Sequence, residues 1–123
     1  MDCPFCEIPR SRVVSENRSA FLIYDGYPVT KLHSLVIPKR HVADIWDFTA
    51  SETADCLELM RQQKDTIQTQ DEAVQGFNVG INVGEASGQT VFHAHIHLIP
   101  RRVGDVSDPR GGVRGVIPSK RTY

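Results

Sequence analysis

The chain has no run of 18 or more apolar residues, which excludes a membrane-spanning helix. Its N-terminus lacks the basic-then-apolar pattern of a secretory signal, so a cytoplasmic location is expected. Cysteine is scarce. Cys3, Cys6 and Cys56 are an odd number with no secretion signal, which argues against a disulfide framework. Excess charge is also missing: the 123 residues carry a net −1. The basic residues that are present gather late. From Arg101 onward Arg101, Arg102, Arg110, Arg114, Lys120 and Arg121 face only Asp105 and Asp108, so this tail is +4 and the remainder −5. It is too short and mixed to argue for nucleic acid, but its sign suits a phosphate-bearing ligand. Internal repeats, low-complexity segments and domain boundaries are absent. One domain is expected over 1–123, with a basic Gly/Pro/Arg-rich C-terminal tail from about 101.

What the chain does have is Val91–Pro100, VFHAHIHLIP, with three of its five histidines. Strict alternation reads as a strand. Successive side chains on a strand point to opposite faces, so His93, His95 and His97 share one face and Phe92, Ala94, Ile96 and Leu98 the other. The apolar face has a core to meet; the imidazole face needs another reason. A single metal ion is a poor one. At about 3.3 Å per residue His93 and His97 lie roughly 13 Å apart, while zinc needs each imidazole within about 2 Å. A division of labour fits better. Neutral histidine attacks phosphorus well when one ring nitrogen is free and the other is held by a hydrogen bond. A central histidine flanked by two others suits that role. The preceding loop, Gly84–Thr90, offers backbone, amide and hydroxyl donors but lacks the G-K-[ST] of a phosphate loop.

The other elements follow in order. Arg12–Ser15, Ala20–Tyr24 and Leu35–Ile37 read as strands, the third stopped by Pro38. His41–Phe48 reads as a short helix. Thr49-Ala50-Ser51-Glu52 matches a capping box, and a long helix is expected to about Gln70, its apolar face drawn through Ala50, Ala54, Leu57 and Ile67. Gly76–Val83 alternates as a fourth strand. Three strands, a helix and two strands imply an α+β domain, an antiparallel sheet with the helix on one face. Cys56, within the helix, reads as a small packing residue.

Cys3-Pro-Phe-Cys6 is half of a zinc site or a redox pair, and no strand precedes it as a redox motif would require. Two more ligands would close a structural site. The candidates are His33, His41 and the three strand histidines; Cys3, Cys6, His41 and His93 make a plausible set.

His93-Ala94-His95-Ile96-His97-Leu98-Ile99 resembles the signature of the histidine triad superfamily, three histidines alternating with apolar residues. Gly88-Gln89-Thr90-Val91, Pro28-Val29-Thr30, His33–Lys39 and Asn82-Val83-Gly84 resemble it too, and the likeness runs from about Cys3 to Arg102. It implies a five-stranded antiparallel sheet with one long and one short helix, commonly as a homodimer. It implies a nucleotide hydrolase acting at the α-phosphorus through a nucleotidyl-histidine, with a purine nucleotide or dinucleoside polyphosphate as partner. His95 would be the nucleophile and His97 would hydrogen-bond the phosphate, with His33 behind them. Gln89 and Thr90 would contact phosphate and the leaving-group oxygen, Asn82 phosphate, and Asp25 the ribose. Ile8 and Phe21 would border the base. Some members hold structural zinc through positions matching Cys3, Cys6, His41 and His93. Leu32 stands where glycine is usual, so a different local backbone is expected. Alternatives are a nucleotidyltransferase or phosphorylase, and a non-catalytic nucleotide-binding interaction module.

Overall fold

The computed structural model describes residues 3–123. Five strands form one antiparallel sheet: β1 (Val13–Glu16), β2 (Ala20–Tyr24), β3 (Ser34–Pro38), β4 (Val74–Gly80) and β5 (Ile96–Arg102), ordered β1-β2-β3-β5-β4. The last strand inserts between β3 and β4, which puts the histidine segment at the middle of the sheet. β3 is buried at every residue, as its unbroken apolar run requires.

One helix, α1 (Ala50–Gln70), lies across one sheet face. It starts where the capping box requires: the Thr49 hydroxyl accepts from Glu52 N–H at 3.0 Å, and Glu52 Oε1 accepts from Thr49 N–H at 2.9 Å. Its buried side carries Glu52, Cys56, Leu59, Gln63 and Ile67. That corrects the expected face, since Ala50, Ala54 and Leu57 are exposed and only Ile67 is inside. The stripe at 52, 56, 59, 63 and 67 keeps helical spacing but uses two polar residues, which find partners. Glu52 is paired with Arg40, and Gln63 Nε2 donates to Ser34 Oγ at 3.1 Å.

The helix-side core joins Cys56 and Leu59 to Ala20, Leu22, Val36 and Ile96, with Ile67, Val74 and Leu98 beside them. Each such aliphatic side chain contributes about 1.5–3 kcal/mol by leaving water. On the other sheet face Ile23, Leu35 and Ile37 are covered by Phe5, Ile8 and Phe21. The N-terminal segment is therefore the lid of a second small core.

Other expectations change in detail. His41–Phe48 is no α-helix; only Ile45–Asp47 forms a 3₁₀ turn, capped by Asp44 accepting from Trp46 N–H at 3.0 Å. The fourth strand begins two residues early and leaves the sheet after Gly80. Leu32 has φ 75°, so a glycine-type turn persists with a leucine in it. That costs about 1–2 kcal/mol, against which Leu32 packs beside Ile67, Val74 and Leu98. Beyond Arg102 the tail forms two further 3₁₀ turns, Gly112–Val116 and Pro118–Lys120. No helix of the described residues is long and apolar enough to cross a membrane.

Candidate active site and metal centre

The histidine segment is only partly a strand. Regular pairing starts at Ile96, and 91–95 approach it irregularly. His93 lies against the two cysteines and is fully buried. Ala94 N–H donates to Val42 O at 2.8 Å, which anchors this approach beside the His41 loop. The three histidines divide into three environments.

His93 belongs to a four-residue cage. Its Nδ1 lies 3.4 Å from Cys3 Sγ and 3.5 Å from Cys6 Sγ, and His41 Nδ1 lies 3.2 Å from Cys6 Sγ. All four ligand atoms fall within 4.8 Å of one another. Ligands about 2.0–2.3 Å from a tetrahedral zinc stand at such separations. The donor set fits in a second way. His93 Nε2 is 2.7 Å from Pro38 O, an acceptor only, so the ring proton sits on Nε2 and the Nδ1 lone pair faces the sulfurs. Cys6 N–H donates to Cys3 Sγ at 3.2 Å, a contact that favours thiolate. Without a cation the Cys6 thiol is raised, by desolvation first and then by Cys3 beside it. A divalent ion would reverse that balance.

His97 belongs to a relay. Val29 N–H donates to His33 Nδ1 at 3.0 Å, so the His33 proton is on Nε2. That Nε2 lies 2.9 Å from His97 Nδ1, and 3.5 Å from Asp25 Oδ2. His97 Nδ1 is thus the acceptor and its own proton is on Nε2, available as a donor. Both rings are held neutral. Burial pushes His33 down, against the pull of Asp25. Burial, then His95 and His33, push His97 down to about 4.

His95 stands between the two groups. Its Nδ1 lies 2.9 Å from the His93 carbonyl, which can only accept, so Nδ1 carries the proton and Nε2 is bare. The Phe5 ring meets it edge-on with centroids 4.9 Å apart. Sequence reasoning missed Phe5. The signal was its place between Cys3 and Cys6: a segment tied to His93 brings whatever it carries to the histidines.

The remaining expected residues separate. Asp25 joins His33 and His97 and accepts from Tyr27 N–H at 2.8 Å. Asn82 is half-buried, Thr90 exposed. Gln89 is buried, with its amide engaged by backbone. Its Oε1 accepts from Gly84 N–H at 2.8 Å, and its Nε2 donates to Ala43 O at 2.7 Å and Val91 O at 3.1 Å. A buried amide is used where backbone needs it, so Gln89 shapes the Gly84–Thr90 loop. Gly84 and Gly88 there have φ 87° and 97°, values open to glycine. Ile8 and Phe21 line a recess of about 300 Å³ with Phe5, Cys6 and Val13, rimmed by Arg10, Glu16 and Lys39.

An antiparallel α+β sheet with a bare-nitrogen histidine between a Cys/His cage and a histidine relay defines a protein built for phosphorus chemistry or nucleotide binding. The chain belongs to the HIT family: the HIT domain matches residues 7–104. It is similar to a HIT family protein of Bacillus anthracis, 37% identical, with TM-score 0.77, over 84% of this chain and 75% of that one. It is also similar to a Zn-bound histidine triad family protein of Mycobacterium smegmatis, 33% identical, with TM-score 0.77, over 87% and 80%. An AP-4-A phosphorylase of Mycobacterium tuberculosis is 32% identical over 110 residues, 85% of this chain and 56% of that protein.

Proposed function

We propose that this protein is a nucleotide hydrolase that acts at the α-phosphorus through a nucleotidyl-histidine. The observation that carries it is the tautomer of His95. With Nδ1–H committed to the His93 carbonyl, His95 Nε2 keeps its lone pair for attack. Nε2 attacks the α-phosphorus, and the bond from phosphorus to the leaving group breaks with its electron pair going to that group. The imidazole gains positive charge as the N–P bond forms, and the His93 carbonyl dipole stabilises it. His97 Nε2–H donates to a phosphoryl oxygen. Asn82, Thr90 and backbone N–H groups of the Gly84–Thr90 loop hold the other oxygens. Water then attacks the nucleotidyl-histidine and restores His95. Asp25 contacts the ribose hydroxyls, and the base lies against Phe5 and Ile8, backed by Phe21.

Cys3, Cys6, His41 and His93 would hold a structural zinc. Four protein ligands close a tetrahedron and leave no position for substrate. The single domain spans 1–123, and the working form is a homodimer in the cytoplasm.

The test is turnover of diadenosine polyphosphates and of adenosine 5′-phosphoramidate, followed by mass spectrometry, with His95→Ala alongside. Loss of turnover by a factor of about 10³ or more, with nucleotide binding kept, is expected; unchanged turnover in His95→Ala refutes the mechanism. The likeness to the AP-4-A phosphorylase favours one second reading, in which inorganic phosphate replaces water. Phosphate-dependent release of a nucleoside diphosphate distinguishes it. Binding without turnover of any of these would make the chain a nucleotide-binding module.

A further inference from the structure

The ring of His95 has little of its own to hold it. The terminal torsion of a histidine is broad and two-fold, so the rotamer does not fix where the ring nitrogens point. Neighbours must do that, and His93, His97 and Phe5 supply the contacts. The His93 carbonyl takes the Nδ1 proton at 2.9 Å. The His97 ring lies 5.3 Å away, centroid to centroid, with the planes at 60°. Phe5 meets His95 at 4.9 Å and 74°, the geometry of a favourable edge-to-face pair. Phe5 makes a second edge contact, to His93, with centroids 6.1 Å apart and planes at 81°. One ring therefore spans a cage residue and the nucleophile.

The backbone of Phe5 is tied at both ends. It sits in a turn closed by Cys6 N–H, which donates to Cys3 O at 3.1 Å and to Cys3 Sγ at 3.2 Å. Both sulfurs lie against His93 Nδ1, at 3.4 and 3.5 Å. Only Pro4 and Phe5 separate the two cysteines, so held sulfurs leave Phe5 no room to drift. Release of the sulfurs removes that restraint, and only packing on Ile23, Leu35 and Ile37 is left. His93 joins the two sites a second way: its ring faces the sulfurs while its carbonyl holds His95.

We infer that Phe5 is a positioning residue for the nucleophile, and that the Cys/His cage governs the aim of His95 through it. A lid over Ile23, Leu35 and Ile37 needs only an apolar side chain at this position. Holding the plane of His95 needs an aromatic ring. This rests on the hydrolase reading and adds a residue to it.

The test uses the zinc-loaded protein and two substitutions. Phe5→Leu keeps the apolar cover and removes the ring; Phe5→Tyr keeps the ring at this half-buried position. On adenosine 5′-phosphoramidate, kcat should fall about tenfold in Phe5→Leu, the upper worth of one aromatic pair. It should stay within about twofold of wild type in Phe5→Tyr. The readout that needs no turnover is the side-chain nitrogen NMR signals of His95, assigned by their loss in His95→Gln. Wild type should show the single tautomer with the proton on Nδ1. Phe5→Leu, and wild type after the metal is chelated, should show signals averaged between the two tautomers. His95 signals unchanged in Phe5→Leu, or an equal loss of kcat in Phe5→Tyr, overturn the positioning role. Signals that move in Phe5→Leu but not on chelation overturn the part played by the cage. If wild type turns over no nucleotide, the hydrolase reading fails, while the His95 signals still decide whether Phe5 holds the ring.

Discussion

His33 does its work through another ring. It receives Val29 N–H on Nδ1 and therefore presents its own proton to His97, which in turn keeps a proton on the outward nitrogen. His33→Ala removes the group that sets this tautomer. We expect kcat to fall about 10²-fold, within the usual range for acid–base groups, while KM changes little; steady-state kinetics check this. The pH dependence has a definite sign. An unfolded histidine takes up a proton near 6.5, whereas folded His97 resists until about 4, and His33 shifts the same way. Between those values the unfolded chain binds more protons, so the histidine contribution to stability falls as pH drops from about 6.5 toward 4 and then levels. Denaturant midpoints across that range, flatter in His97→Gln, measure it.

The start of α1 shows how one side chain serves two elements. Glu52 caps Thr49 and takes a bidentate pair from Arg40, with Nε and Nη2 at 3.0 and 2.8 Å. Arg40, by hydrogen bonding first, holds the Glu52 carboxyl down to about 2. Arg40 precedes His41, so this pair also steadies the loop that carries His41. Thr49→Ala should cost about 1 kcal/mol and Glu52→Ala more, about 2 kcal/mol, since a hydrogen-bonded charge is lost as well. Arg40 is half exposed, which keeps the second figure from rising further. Urea unfolding of the two variants ranks them; a smaller loss for Glu52→Ala would show that the pair contributes nothing beyond the cap.

For the molecule as a whole, the Cys/His cage fastens the N-terminal segment onto the outer sheet face. Without it Phe5 and Ile8 are held over Ile23, Leu35 and Ile37 by packing alone. About one zinc per chain is expected by elemental analysis. Metal removal by a chelator, or Cys3→Ser with Cys6→Ser, should lower Tm by roughly 10 °C, because metal binding energy is folding energy. Tm unchanged by the chelator would show that the cage does not fasten the segment. The sheet, which holds most of the core, should survive in either case.

Local signals in the chain were enough for the fold class, five strands close to where they form and the Thr49–Glu52 start of α1, while the Cys3/Cys6/His41/His93 grouping came from the family resemblance. The first three rest on short-range physics, such as alternation and capping. The buried face of α1 was not legible, because Glu52 and Gln63 read as surface residues until Arg40 and Ser34 supply their partners. Nor was the full burial of His93, since a two-residue period cannot register where a strand stops being paired or what covers it. The hold of the Gln89 amide on Ala43 O was not legible either, since that partner is distant in sequence. The sequence alone placed three imidazoles together. Only the tertiary structure, through the carbonyls of His93 and Pro38 and the amide of Val29, decided which nitrogen of each is free, because a tautomer is fixed by what the other nitrogen touches.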